Sequence, residues 1–362
     1  MQLMLGALED PCEAPADAEL VAVYERRSLP GRTPPIIGIV GEYVGSWRLY
    51  MTIINRIKDH LISLGPKHRA VQLALTLQGR LHGHRVEFHD GQITISAPGR
   101  RVTILETDYL HVPLMSKSLA PYFNDFEATS VDGNEMLDFT GPGVHKYRAT
   151  GLEFSFPGIP EDDSMAAYLH GYRPSEGTVV WDLGAHAGMT AYSFSQMVGP
   201  GGHVYAFEPD DLNRRYLTEN LDRLQVTNVT IVDWAVGKYS GKAQFSMDGS
   251  MTSGLVECNR WSDADHIREV EVVSLEDCYN RLGRHVDYIK ADIEGAEVGF
   301  IEGALEFLKT HRVHFAFESM HWVPGGTFSC YELERLFTSI GYTIESSAQY
   351  GYMFTWATPP SM

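Results

Sequence analysis

An acidic residue and a glycine-spaced turn follow a short apolar run at residues 178–181. Asp182 ends that run, Gly184 and Gly188 allow a tight turn, and residues 189–198 have the pattern of a helix. The spacing differs from the Gly-x-Gly-x-x-Gly that lays a dinucleotide pyrophosphate against backbone amides. A carboxylate at this point suits a ligand with an ammonium group, as in the methionine part of S-adenosylmethionine (SAM).

Two later strand ends carry residues suited to a nucleoside. Glu208 follows the apolar run at residues 203–207, at roughly the chain offset from Asp182 that ribose-binding acids have, about 20 residues. We expect its carboxylate to accept hydrogen bonds from both ribose hydroxyls. A third run over residues 228–237 contains Asp233, Trp234 and Ala235, which we expect to contact the edge and face of an adenine. The residues predicted to bind the nucleoside ligand are Asp182, Gly184, His186, Gly188, Glu208, Asp233, Trp234 and Ala235.

The fourth and fifth predicted strands end in groups that move protons or bind cations. Asp292 and Glu294 follow the fourth strand, and Glu318 and His321 follow the fifth. One hypothesis makes His321 or a carboxylate a general base, because imidazole titrates near neutral pH. The other has Asp292 and Glu294, with Glu318 or His321, bind a divalent ion such as Mg²⁺, which prefers oxygen ligands. The sequence leaves both hypotheses open, with His321, Asp292 and Glu294 as the catalytic candidates and Asp292, Glu294 and Glu318 as the metal ligands.

Four motifs together resemble the FkbM-type SAM-dependent methyltransferases. They are VVWDLGAHAG, YAFEPD, AVG and DYIKADIEGAE, in this order along the chain. The resemblance covers about residue 151 to the last residue, and His186 stands where the family usually has Asn. It implies an α/β fold with a Rossmann-like class I methyltransferase sheet of seven strands, the last one antiparallel. It also implies SAM as cofactor and an oxygen atom as methyl acceptor.

The sequence further predicts three regions. Residues 1–35, rich in Pro, Ala and acids, are expected to be a flexible lead-in. Residues 36–150 are expected to form an N-terminal α+β extension that covers the substrate or serves assembly. It would contain an amphipathic helix over residues 48–65, which also makes a homodimer possible, and hairpins over residues 85–110. Residues 151–362 would be the SAM-binding methyltransferase domain.

Composition limits the classes of partner and the cellular location that we expect for the protein. The 362 residues carry a formal net charge of −18, which disfavours nucleic acid as a partner. The four cysteines lack a metal-binding spacing, the N-terminus lacks a signal-peptide pattern, and apolar runs stay below the roughly 18 residues that span a membrane. We therefore predict a cytoplasmic protein that does not enter a membrane.

Three functions are compatible with these residues. The first is O-methylation of a hydroxyl on a small molecule or sugar, as in secondary metabolism or glycan modification, for which the family resemblance supplies the oxygen acceptor. The second is N-methylation of a peptide or amine. The third is a catalytically silent nucleotide-binding module, which the acids at all five strand ends disfavour.

Overall fold

The structure is a computed structural model that describes residues 64–161, 163–247, 249, 253–258, 266–323 and 327–361. The predicted lead-in over residues 1–35 lies outside the described residues, as does the predicted helix over 48–65 except for its last two residues. Backbone contacts divide the described chain into an N-terminal unit, residues 64–123 and 128–138, and a C-terminal unit, residues 124–127 and 139–361. The three-region division drawn from the sequence stays a prediction.

The N-terminal unit is built around an antiparallel sheet, and the predicted hairpins are present. Asp90 and Gly91 both have positive φ, 50° and 76°, as a tight two-residue hairpin turn requires. Alternate residues of the strands, such as Ile93 and Ile95, are fully buried. The elements up to residue 139 are α1 (Arg69–Leu81), β1 (Arg85–His89), β2 (Gln92–Ala97), β3 (Arg100–Leu105), a 3₁₀ helix (Glu106–His111), α2 (Val112–Lys117), α3 (Ala120–Asp125), β4 (Thr129–Val131) and β5 (Asn134–Phe139).

The C-terminal unit alternates strands and helices. Its first part contains β6 (Gly143–Lys146), β7 (Glu153–Phe156), α4 (Met165–Tyr168), β8 (Val179–Leu183), α5 (Met189–Val198), β9 (His203–Phe207), α6 (Asp211–Arg223), β10 (Val229–Val232), β11 (Ala235–Val236), β12 (Gly241–Ser246), β13 (Gly254–Leu255) and β14 (Ile267–Val273). Its second part contains α7 (Leu275–Leu282), β15 (Tyr288–Ala291), α8 (Glu297–Leu308), β16 (His314–Glu318), β17 (Trp322–Val323), β18 (Thr327–Phe328), α9 (Ser329–Ser339), β19 (Thr343–Ser347) and β20 (Phe354–Thr358).

The main sheet of this unit has seven strands within the described residues, in the order β10, β9, β8, β15, β16, β20, β19. The first five are parallel, and β20 runs antiparallel to both of its neighbours. The predicted Rossmann-like class I sheet, with its last strand antiparallel, is therefore confirmed. The strand order reverses between β8 and β15, and ligands bind at the carboxyl ends of the strands at such a switch point.

The central strands are apolar apart from Asp182 and Lys290, because both faces of the main sheet are covered. All five residues of β8 and all four of β15 are buried, as expected for parallel strands packed between helices. Trp181, Phe207 and Ile289 belong to one continuous core cluster. Among the described residues, no helix has the length and apolarity to cross a membrane.

One sequence prediction differs from the structure in detail. The third predicted strand, residues 228–237, is split because Ala235 and Val236 pair with Val272 and Val273 of β14. They thereby join a second, four-stranded sheet of β11, β14, β12 and β13 instead of the main sheet.

Candidate active site

The glycine turn after β8 lies at the carboxyl edge of the main sheet. The amides of Gly184 and Ala185 both donate to the Phe207 carbonyl at 3.0 Å, which ties the turn to β9. Gly184 has φ 76°, and a Cβ at this position would overlap the carbonyl oxygen of Asp292. Gly188, with φ 91°, leads into α5. The turn therefore needs glycine both for its backbone angles and for the close approach of β15.

Asp182 is fully buried and already has partners inside the protein. Its Oδ2 accepts from the Thr190 hydroxyl at 2.6 Å, and its Oδ1 lies 3.1 Å from Nζ of Lys290, its neighbour across the sheet. Burial raises the pKa of Asp182, while the Lys290 and Thr190 contacts lower it. The ammonium group beside Asp182 in this structure thus belongs to the chain itself, and the predicted contact of Asp182 with a ligand ammonium stays a prediction.

Lys290 is a residue of the site that the sequence interpretation missed. It is 2% exposed, its ammonium donates to the carbonyls of Leu183 at 3.3 Å and Gly184 at 2.7 Å, and Nζ lies 5.3 Å from the ring centre of Tyr168. Burial lowers its pKa, but the nearby carboxylates, Asp182 foremost, raise it above the ordinary value. The available signal was a single lysine inside the apolar run of the fourth strand.

Glu208 lies where a ribose-binding acid was predicted, at the end of β9. Its Oε2 accepts from the His186 amide at 2.8 Å and its Oε1 from the Asp210 amide at 2.9 Å. Burial raises the pKa of Glu208 to about 7, against the lowering effect of these hydrogen bonds. The carboxylate is therefore fixed in orientation and changes charge near neutral pH.

A cleft opens at the carboxyl ends of β8, β9, β10 and β15. Four of the predicted ligand residues line it, namely Gly184, Glu208, Trp234 and Ala235. Phe207 and Asp292 line it too, and Phe245, Ser253 and Leu255 of the smaller sheet and its loop enclose it from another side. Asp233 is exposed and is not part of the lining, so the structure gives no support for its predicted adenine contact.

His186 lies in the glycine turn with φ 44°, a left-handed conformation in which His is enriched among non-glycine residues. Its Nδ1 lies 2.6 Å from Oε1 of Glu161, on the segment before α4. Burial lowers the pKa of His186, but the adjacent carboxylates, Glu161 foremost, outweigh burial and raise it. Sequence patterns did not single out Glu161, because no motif connects it with the turn.

The predicted proton-transfer and metal residues do come together. Asp292, Glu318 and His321 each offer a ligand atom, and these atoms lie within 4.8 Å of one another. Nε2 of His321 is 3.7 Å from Oδ1 of Asp292 and 3.7 Å from Oε1 of Glu294. We call these four residues the acid–histidine cluster. Asp292 also lines the cleft, so the cluster and the cleft share a residue.

Glu297 contacts the other ring nitrogen of the His321 imidazole, Nδ1. It begins α8, it is fully buried, and its Oε1 lies 2.9 Å from Nδ1 of His321. The same oxygen accepts from the amides of Ile293 and Gly295 at 3.1 and 3.3 Å. Nδ1 is thereby engaged, and Nε2 is turned toward Asp292 and Glu294.

The charges around His321 set its protonation. Burial lowers its pKa, but the carboxylates of Glu297, Glu294 and Asp292 together raise it well above the ordinary value. While His321 carries that proton it cannot accept another. A carboxylate or a bound cation would then be needed where a proton has to be removed from an acceptor.

Part of the chain is similar to known methyltransferases. Residues 182–344 match the model of the methyltransferase FkbM domain, whereas no curated protein sequence matches significantly. One similar solved structure is the methyltransferase FkbM from Methylobacillus flagellatus KT, with 19% identity and a TM-score of 0.37 over 51% of this chain and 43% of that chain. This chain thus spans less than half of that protein.

Two further solved structures are similar. A SAM-dependent methyltransferase from Aquifex aeolicus is 16% identical, with a TM-score of 0.32 over 51% of this chain and 84% of that chain. The fibrillarin from Aeropyrum pernix, solved with natively bound SAM, is 15% identical, with a TM-score of 0.34 over 75% of this chain and 97% of that chain. The matched residues 182–344 hold the glycine turn, Glu208 and the acid–histidine cluster. This part of the chain is therefore similar to the methyltransferase FkbM domain.

Proposed function

We propose that the protein transfers the methyl group of SAM to a hydroxyl oxygen of a small molecule or sugar. The cleft supplies what the nucleoside half of SAM needs, since Glu208 offers a carboxylate for the ribose and Trp234 an aromatic side chain near the third strand end. The glycine turn lets the backbone approach the ligand closely at the end of β8.

The acid–histidine cluster beside the cleft is the observation that supports an oxygen atom as the methyl acceptor. A hydroxyl is a poor nucleophile at neutral pH and needs help in losing its proton, whereas a neutral amine attacks unaided. Asp292 lies in both the cleft lining and the cluster, so an acceptor next to a SAM in the cleft would meet these carboxylates. Holding the acceptor oxygen in line with the methyl carbon would supply much of the remaining acceleration.

We further propose that Asp292, Glu318 and His321, with Glu294 beside them, hold a divalent cation. Two or three carboxylates and one imidazole form a donor set that suits Mg²⁺ or Mn²⁺. A cation at Nε2 of His321 would take the place of the proton that the same carboxylates stabilise there. The contact of Glu297 with Nδ1 is the outer-shell arrangement that orients metal-binding histidines. A bound cation would polarise the acceptor hydroxyl and favour loss of its proton.

The first test measures cofactor binding by isothermal titration with SAM and with its demethylated product, S-adenosylhomocysteine. We expect micromolar binding by the wild-type chain and a large loss in Glu208→Ala. Glu302→Gln, on the exposed side of α8, serves as the control and should bind as the wild type does. Absence of binding by the intact protein would contradict the methyltransferase proposal and favour a silent module.

The second test measures release of S-adenosylhomocysteine with a panel of sugars, other hydroxylated small molecules and amines. Each acceptor is assayed with Mg²⁺, with Mn²⁺ and with EDTA, for the wild type and for Asp292→Asn and Glu318→Gln. The proposal expects turnover with a hydroxyl acceptor that EDTA and both variants abolish. Turnover with an amine that is insensitive to EDTA would replace it with N-methylation.

A further inference from the structure

We propose that Glu161, and not Asp182, receives the α-ammonium group of SAM. This inference rests on the proposed function, because it assumes that SAM binds in the cleft. It assigns the amino-acid end of the cofactor to a residue on the segment that precedes the main sheet, outside all four sequence motifs and outside the matched residues 182–344.

Asp182 already has a cation of the chain beside it. Its side chain is fully buried, one oxygen accepts from Thr190, and the Lys290 ammonium lies against the other. Lys290 also donates to the Gly184 carbonyl at 2.7 Å. The carboxylate of Asp182 and the Gly184 carbonyl therefore already face a cation of the chain, and the Asp182 side chain exposes no surface to a ligand.

Glu161 is the next carboxylate in this part of the site. Its side chain is 16% exposed, against 0% for Asp182, so a ligand can reach it. Its Oε1 lies 2.6 Å from Nδ1 of His186, so its carboxylate lies beside the glycine turn. The methionine part of a SAM bound in the cleft would extend toward this turn.

The position of Glu161 is fixed from two sides. Its backbone carbonyl accepts from the Tyr147 hydroxyl at 2.7 Å, and its Oε1 lies 2.6 Å from Nδ1 of His186. His186 thus acts as a positioning residue that holds one carboxylate oxygen and leaves Oε2 for a ligand. Charge-assisted bonds between an ammonium and a carboxylate are short and strong, and a preoriented carboxylate costs less entropy to use.

The experiment compares two ligands that differ at the amino-acid end. S-adenosylhomocysteine carries the α-ammonium group, whereas 5′-methylthioadenosine has the same nucleoside and thioether without the amino acid. Both are titrated into wild type and Glu161→Gln. We expect the variant to lose about 10- to 100-fold in affinity for S-adenosylhomocysteine, the usual effect of a lost charged hydrogen bond. Its affinity for 5′-methylthioadenosine should change less than about twofold.

Two further variants separate recognition from packing. Glu345→Gln removes a carboxylate from another Glu–His pair, with His170, and should bind both ligands as the wild type does. His186→Asn keeps a residue that tolerates the left-handed turn but releases Glu161, so we expect a smaller selective loss for S-adenosylhomocysteine. Thermal unfolding of each variant establishes that it is folded.

The possible failures are distinguishable. If the wild type binds neither ligand, the proposed function falls together with this inference. If Glu161→Gln weakens both ligands equally, Glu161 only shapes the cleft, and if it weakens neither, another group receives the ammonium. Either of the last two results overturns the assignment of Glu161 and leaves SAM binding intact.

Discussion

Charged side chains of this site are buried in pairs of opposite sign. Lys290 lies 3.1 Å from Asp182, His186 lies 2.6 Å from Glu161, and His321 lies 2.9 Å from Glu297. Removing one partner of a buried pair leaves an uncompensated charge, which costs far more than an exposed pair contributes. The pairs therefore fix the orientation of the glycine turn, of the segment before α4 and of the imidazole in the acid–histidine cluster.

At the residue scale, Glu208 makes cofactor binding depend on pH. Its pKa is raised to about 7 by burial, and the ionised form is the better acceptor for two ribose hydroxyls. Affinity should therefore rise with pH. If only the carboxylate binds, the ionised fraction and the affinity increase about tenfold between pH 6 and pH 8. Titration of S-adenosylhomocysteine into the protein across this range measures the effect.

Glu208→Gln is the control for that assignment, because the amide has no charge to lose. The variant should bind more weakly at pH 8 and show a flat profile between pH 6 and pH 8. The same rise in affinity in Glu208→Gln would assign the pH dependence to another group.

A second prediction at this scale concerns Glu297 as a positioning residue. Glu297→Gln weakens the contact that keeps Nε2 of His321 turned toward Asp292 and Glu294. Loss of such an outer partner costs about 10- to 100-fold in metal affinity. Titration with Mn²⁺ measures it, with Glu302→Gln on the same helix as the matched control. Equal Mn²⁺ affinity in the two variants would contradict the positioning role.

At the element scale, the site depends on how closely the turn after β8 approaches the end of β15. Strand pairing brings Leu183 next to Ala291, so the residues that follow, Gly184 and Asp292, meet beyond the sheet edge. A Cβ on Gly184 would overlap the Asp292 carbonyl. This carbonyl belongs to Asp292, which the cleft and the acid–histidine cluster share. A shift of Asp292 would therefore disturb both the cleft and the cluster.

Gly184→Ala tests this close backbone contact, and Gly177→Ala is the matched comparison. Both positions have positive φ, 76° and 86°, but nothing lies within 4 Å of a Cβ on Gly177. Gly177→Ala should lower the free energy of unfolding by about 1–2 kcal/mol, the cost of placing a residue with a Cβ at positive φ. Gly184→Ala should cost more than about 3 kcal/mol, because a backbone oxygen must also move. Urea denaturation measures both, and equal losses would mean that the approach is not tight.

The sequence predicted the strand ends well and the charge pairs poorly. Apolar runs followed by Asp182, Glu208, Asp292 and Glu318 revealed the carboxyl edge, because strands buried on both faces are apolar throughout. The partner of Asp182 depends on β15 lying beside β8, more than a hundred residues later in the chain. Glu161 and Glu297 likewise acquire their partners only through tertiary packing, which no local pattern encodes.

At the scale of the whole molecule, an aromatic cluster crosses the boundary predicted at residue 151. Phe126, Phe139 and Tyr147 precede that boundary, yet they pack in the C-terminal unit, with ring centres of Phe126 at 6.0 Å from Phe139 and 4.8 Å from Tyr147. Tyr147 continues to Phe154 at 5.8 Å, and Phe154 reaches Tyr192 of α5 at 5.8 Å. The aromatic cluster thus connects residues before 151 with α5, the helix that follows β8 of the main sheet.

Two truncated chains test where the methyltransferase domain begins. Residues 124–362, with a Gly/Ser linker in place of 128–138, keep the aromatic cluster and the Tyr147 hydroxyl that holds Glu161. We expect this chain to fold and to bind S-adenosylhomocysteine within about threefold of the full chain, less than 1 kcal/mol. Residues 151–362 lack three buried rings, so we expect a lower melting temperature by calorimetry and weaker binding by titration. Equal stability and affinity of the two truncated chains would place the boundary at residue 151 and make the earlier rings dispensable.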